Sequence, residues 1–204
     1  LFQKEIHTNF ITRRDIQAIK DLGFNAVRIP VNHTLIEKDE WKSLDNVITW
    51  AREAGIYIII DLHAVPGGQS SLFIADPEET LVWDSESNKQ KTIDAWKKIA
   101  NRYKVEPTIA GYDLINEPAP KDPQDLNTLY NQIITEIRSI DQNHLLILEG
   151  SEYAKNIKTL AKPADTNIAY MFHMYTWLND SRERNLIDYS EIAQKQDIPL
   201  LNGE

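Results

Sequence analysis

Apolar positions along this chain fall into two alternating rhythms. Ile16, Ile19 and Leu22 recur at helical spacing over residues 15–22, with Gly23 as a stop, and residues 25–31 then read as a buried strand. The pair repeats as a helix over 44–54 stopped by Gly55 and a strand over 56–63. After a polar stretch from 64 to 88 holding Pro66-Gly67-Gly68 and Pro77, a helix over 92–103 leads to a strand ending in Asn116-Glu117-Pro118. A helix over 126–140 and a strand over 145–150 follow, then a shorter helix over 153–160 and a strand over 168–175. A helix over 189–195 precedes a last apolar run from Ile198 to Glu204.

Strands that are apolar throughout, each separated from the next by a helix, predict a parallel sheet covered on both faces. Polar and charged residues gather at the strands' carboxyl ends: Arg28, His63, Glu117, Glu149, His173, Tyr175 and Glu204. A (β/α) barrel carries its active site at that end, and a doubly wound sheet also binds ligands there. Only 7 glycines occur, and none forms a Gly-rich phosphate loop, which weighs against a nucleotide enzyme on a doubly wound sheet.

At 204 residues the chain is expected to form a single domain, numbered 1–204. Its net charge of -9 supplies no basic surplus for a nucleic-acid backbone. With no cysteine, disulfides and thiolate metal sites are excluded. No apolar run in these residues is long enough to span a membrane and none reads as a signal peptide; the first residues already read as the middle of a domain.

The chemistry centres on Glu117 and Glu204, which end two different apolar runs. Glycoside hydrolysis needs such a pair: an acid for the leaving oxygen, and a nucleophile or base on the other side of the sugar. Arg28 within a buried strand needs a carboxylate partner. His63 and His173 are far apart in sequence and lack the helical i,i+4 pairing of a zinc site, so no metal is expected. Glu149, in Leu148-Glu149-Gly150, also ends a strand but reads as structural or as a support behind the catalytic groups, and Asp61 and Asp113 read as supports for neighbouring polar groups. Phe73, Trp83, Tyr153 and Trp177 lie in segments after strands, where aromatic faces either stack on sugars or fill the core.

Arg28-Ile29-Pro30, Asp61-Leu62-His63, Asn116-Glu117-Pro118, His173-Met174-Tyr175 and Gly203-Glu204 occur in the order and approximate spacing of glycoside hydrolase family 5, which the chain resembles over nearly its whole length. Residues 61–67 also resemble the branch of exo-β-1,3-glucanases and related endoglucanases. The resemblance implies an α/β (β/α)8 TIM barrel of which this chain carries strands two to seven. The first and eighth strands are then expected outside it, so that exposed strand edges offer a route to self-association. It implies a retaining endo- or exo-β-glycosidase acting on β-linked glucan by double displacement, without a cofactor, and secreted. Glu117 would be the acid/base, protonated near neutral pH, and Glu204 the nucleophile. Asn116 would contact the sugar 2-hydroxyl, His63 and His173 the reacting sugar, while Arg28 and Tyr175 hold Glu204. The competing reading is an inactive or sugar-binding barrel fragment, non-catalytic because the barrel is incomplete.

Overall fold

The computed structural model describes residues 11–175 and 182–204, the side chains of 182–185 excepted. Trp177 lies outside the described residues. Helix α1 (Arg13–Asp21) begins where the Thr12 N–H and hydroxyl both donate to Asp15 at 2.7 Å. It leads to β1 (Ala26–Asn32), the short α2 (His33–Glu37) and α3 (Lys42–Ala54), which stops at Gly55 in the left-handed region. Strand β2 (Tyr57–Ala64) is followed by two 3₁₀ turns, Phe73–Ala75 and Val82–Asp84, within the expected polar stretch. Then come α4 (Glu86–Tyr103), β3 (Ile109–Asp113), α5 (Pro123–Arg138), β4 (Leu145–Glu149), β5 (Ile168–Phe172), α6 (Arg182–Gln196) and β6 (Leu200–Asn202).

The six strands are parallel and lie in the order of the sequence, β1-β2-β3-β4-β5-β6. A doubly wound sheet must reverse direction at a switch point. This one never does, so the winding is that of a barrel. Six strands of the expected (β/α)8 barrel are present.

Because successive strand residues face opposite sides, each strand contributes to two layers. The outward residues, Ile58, Ile60 and Leu62 of β2, Leu146 and Leu148 of β4, and Tyr170 and Phe172 of β5, belong to the main core with the helices. The inward residues form a small apolar layer of Ile59, Leu145, Ile147, Ala169, Met171 and Leu201. Two residues further along β2 and β4 the same inward face turns polar, at Asp61 and Glu149, both fully buried. Polar residues buried at one end of an apolar interior must satisfy one another or a ligand.

Three expectations are corrected. Helix α4 starts at Glu86 rather than residue 92, capped by Ser85, whose hydroxyl accepts the Asn88 N–H at 3.2 Å. Strand β3 ends at Asp113, so Glu117 stands beyond the strand rather than at its last residue. The helix expected over 153–160 is absent: Glu152, Tyr153 and Ala154 take φ of 57°, 62° and 60°, a left-handed turn, and a 3₁₀ turn follows at Ile157–Thr159.

Candidate active site

Arg28 projects from β1 into the centre of the polar layer. Its Nε donates to Asp113 Oδ2 at 2.8 Å, Nη2 to Asn116 Oδ1 at 2.7 Å and to Glu149 Oε1 at 3.0 Å, and Nη1 to Glu204 Oε1 at 3.1 Å. Asp61 Oδ2 is 3.2 Å away. Burial opposes the charge of Arg28, but Asp113, Asp61 and Glu149 outweigh it and raise its pKa, so the guanidinium is a fixed cation. Burial and the field of Glu149 push Asp113 well above the carboxylate range despite Arg28, and burial also raises Asp61.

Glu204 follows β6 after Gly203, a residue with no room for a side chain: a Cβ there would lie 2.8 Å from His173 Nε2. The Glu204 carboxylate accepts from Arg28 and from the Tyr175 hydroxyl. Partial burial raises its pKa, but the Tyr175 bond, His173, Arg28 and His63 prevail and hold it below the usual glutamate value. Burial, and then the same contact with Glu204, push the Tyr175 hydroxyl up. Glu204 is therefore an ionised, oriented carboxylate.

Glu117 is reached by chain that leaves β3 but stays tied to the sheet. The Leu114 N–H donates to Ile147 O at 3.1 Å and the Asn116 N–H to Leu62 O at 3.3 Å. Glu117 itself takes φ 44°, a left-handed conformation that costs a non-glycine residue roughly 1–3 kcal/mol. Its N–H donates to Glu149 Oε2 at 2.6 Å, and its Oε1 lies 2.9 Å from His173 Nδ1. Burial opposes a charge on His173, yet the bonds to Glu117 and Glu149 and the nearby Glu149 and Glu204 charges push its pKa up to about 10. Asn116 is fully buried, and with Oδ1 taken by Arg28 its Nδ2 has no protein partner among the described residues.

One oxygen each from Glu117 and Glu204 and one ring nitrogen of His173 lie within 4.8 Å of one another. Such a trio is close enough to enclose a metal ion, a role in which His173 would have to give up the proton that its carboxylate neighbours favour. Proton transfer between neighbouring groups is the chemistry this arrangement favours.

His63 sits across the layer, its Nδ1 2.7 Å from Asp61 Oδ2, and the hydrogen bond to Asp61 raises its pKa against the effect of burial. The following loop is pinned by Gln69, whose Nε2 donates to His63 O at 2.8 Å, and by Trp83, whose indole donates to Gln69 O at 2.9 Å. Gly68, at φ 82°, allows this loop to fold back against Pro77. Trp83 is thus a buried prop, whereas Phe73 is 88% exposed.

The structure brings together all seven residues singled out in the sequence, Arg28, His63, Asn116, Glu117, His173, Tyr175 and Glu204, with Asp61, Asp113 and Glu149 beneath them. Glu149, read from sequence as structural or as a support behind the catalytic groups, touches Arg28, the Glu117 backbone and, at 3.2 Å, His173 Nε2. Gln69 and Tyr130 escaped notice altogether. A glutamine in a polar loop and a tyrosine on an apolar helix face carry no signal of the backbone groups they reach.

Parallel barrel winding and paired glutamates at the carboxyl end of the sheet define a glycoside-hydrolase type of site. The chain belongs to glycosyl hydrolase family 5, the cellulase family, whose model matches residues 2–204. It is 31% identical over 180 residues to a β-xylosidase of Phanerodontia chrysosporium, covering 82% of this chain and 38% of that one. It is 29% identical to endoglucanase C of Acetivibrio thermocellus, covering 86% and 53%, and 29% identical to a probable glucan 1,3-β-glucosidase A of Aspergillus fumigatus, covering 97% and 52%. The chain thus spans between 38% and 53% of the length of these relatives. Among solved structures, endoglucanase Cel5A of Thermotoga maritima superposes with a TM-score of 0.77 at 23% identity, covering 93% of this chain and 70% of that one. That enzyme has been solved with cellobiose and with mannotriose.

Proposed function

We propose that this chain carries the catalytic centre of a retaining β-glycanase that cleaves β-linked glucan by double displacement. Glu204 attacks the anomeric carbon while Glu117 protonates the departing oxygen. Glu117 then takes a proton from the water that releases the glycosyl group from Glu204. The observation that carries this reading is the closeness of the two glutamates, one oxygen of Glu117 lying within 4.8 Å of one oxygen of Glu204. Retaining enzymes hold their carboxyl groups about 5–5.5 Å apart, and inverting ones about 6.5–9.5 Å to admit a water.

The surroundings fit Glu204 to its role. Glu204 is kept ionised by Tyr175, His173, Arg28 and His63, as a nucleophile requires. Asn116 Nδ2, buried and without a protein partner among the described residues, would serve a sugar 2-hydroxyl. The cellobiose and mannotriose complexes of the Thermotoga enzyme support a β-linked oligosaccharide as substrate. Two experiments test the reading: NMR of the first-formed product, expected as the β-anomer, and labelling by a 2-deoxy-2-fluoro glycoside, expected on Glu204. An α-anomer formed first, or a label on another residue, overturns it.

A further inference from the structure

We propose that Glu149 is a positioning residue for Glu117, forming with the left-handed turn after it a clamp on the Glu117-Pro118 backbone. The proposal rests on the reading of Glu117 as the acid/base. Glu149 is fully buried and is itself held from α5: its carbonyl accepts from the Tyr130 hydroxyl at 3.0 Å, and its N–H donates back to that hydroxyl at 3.2 Å. From this fixed base one carboxylate oxygen accepts the Glu117 N–H at 2.6 Å and the other accepts Arg28 Nη2 at 3.0 Å.

The turn completes the grip. The Tyr153 N–H donates to Pro118 O at 3.2 Å, and Ala154 O accepts the His173 N–H at 3.2 Å. Three successive non-glycine residues at positive φ are rare, because the left-handed region is normally visited singly. Strain that persists points to surroundings that require it. Here those surroundings are the two chain segments bearing Glu117 and His173. Glu117, at φ 44°, is strained in the same way; its N–H is engaged by Glu149 at the end of β4 and the Pro118 carbonyl by Tyr153 in the turn that follows. The clamp thereby sets where the Glu117 carboxyl stands relative to Glu204.

The test compares Glu149→Gln with Glu117→Ala. An amide has one acceptor oxygen, so it cannot serve both the Glu117 N–H and Arg28. With cellotetraose or laminaritetraose, Glu149→Gln is expected to lower kcat by about 100-fold, the cost of an ångström-scale misplacement, with little change in KM. The burst from a 2,4-dinitrophenyl β-glycoside, whose leaving group needs no acid, is expected to persist. A variant that matches the wild type, or that loses both reactions alike, overturns the clamp. If Glu117→Ala shows no such leaving-group split, the acid/base reading fails instead. Should Glu149→Gln not fold, the wild-type protein still decides by NMR. The Glu117 amide proton is expected downfield and slow to exchange, and a rapidly exchanging amide overturns the proposal.

Discussion

Arg28 Nη1 and Glu204 Oε1 lie 3.1 Å apart, joining residues separated by 176 positions at opposite edges of the sheet. Their meeting requires the sheet to curl until β1 and the chain beyond β6 face each other across the mouth of the half-barrel. Arg28 also engages Asp113, Asn116 and Glu149, so one guanidinium organises side chains from almost every strand. Arg28→Met leaves these acids without their cation and is expected to cost about 3–5 kcal/mol of stability by denaturant titration. Arg28→Lys keeps the charge but not the planar fork. It is expected to be more stable than Arg28→Met, yet to lose at least ~10-fold in kcat because Glu204 is no longer held by a fixed donor.

Glu117→Gln separates the two halves of the proposed reaction. Turnover of oligosaccharides with alkoxide leaving groups is expected to fall by about 10²–10⁴-fold, the usual contribution of general acid catalysis. The first step with an activated aryl glycoside is expected to survive, giving a burst in stopped-flow absorbance. Equal loss on both substrates would assign Glu117 another role.

Stability should depend on pH through His173 and Glu204 in opposite directions. His173 rises from 6.5 to about 10 on folding, so its contribution is full below about 6.5 and is lost as pH rises through 10. Glu204 is lowered from 4.5, so its contribution is present above 4.5 and is lost as pH falls through its depressed value. Thermal melts are expected to plateau between pH 4.5 and 6.5 and to decline on the alkaline side, with the alkaline slope reduced in His173→Gln. The acid limb of kcat/KM is expected below 4.5, because it reports ionisation of Glu204.

The alternation of apolar runs was enough to place six strands and all but one of the helices expected between them, and the polar residues at strand ends led to the site. What the sequence hid was decided by distant partners. Leu114 and Ile115 are as apolar as a strand requires, yet pairing in β3 stops at Asp113 and the chain turns to present Glu117. Glu152, Tyr153 and Ala154 have no local reason to be left-handed; hydrogen bonds to Pro118 and Gly150 from the turn, and from His173 to it, override their preference. The first turns of α4 carry Glu86, Ser87, Lys89 and Gln90, so apolar periodicity begins only near Ile93 and the helix looked shorter than it is. Glu149 could not be ranked above any other strand-end glutamate until its reach to the Glu117 N–H was visible.

Among the described residues, β1 pairs only with β2 and β6 only with β5. Among the described residues each therefore has one side of its backbone unpaired, the usual template for association between chains. The two edges differ in strength. Strand β6 is three residues long and offers little to a partner, whereas β1 runs for seven, with Pro30 removing one donor near its middle. Association is therefore expected to run through β1, and it bears on function because Arg28 lies on that strand. A partner strand docking there would compete with the curl that brings Arg28 to Glu204. The polypeptide of residues 1–204, 23.5 kDa in mass, is expected to sediment as a larger species with reduced glycanase activity. A longer polypeptide that supplies flanking strands is expected to be monomeric and active. Sedimentation velocity and a reducing-sugar assay on both decide the matter: a 23.5 kDa monomer with full turnover would show that six strands hold the site unaided.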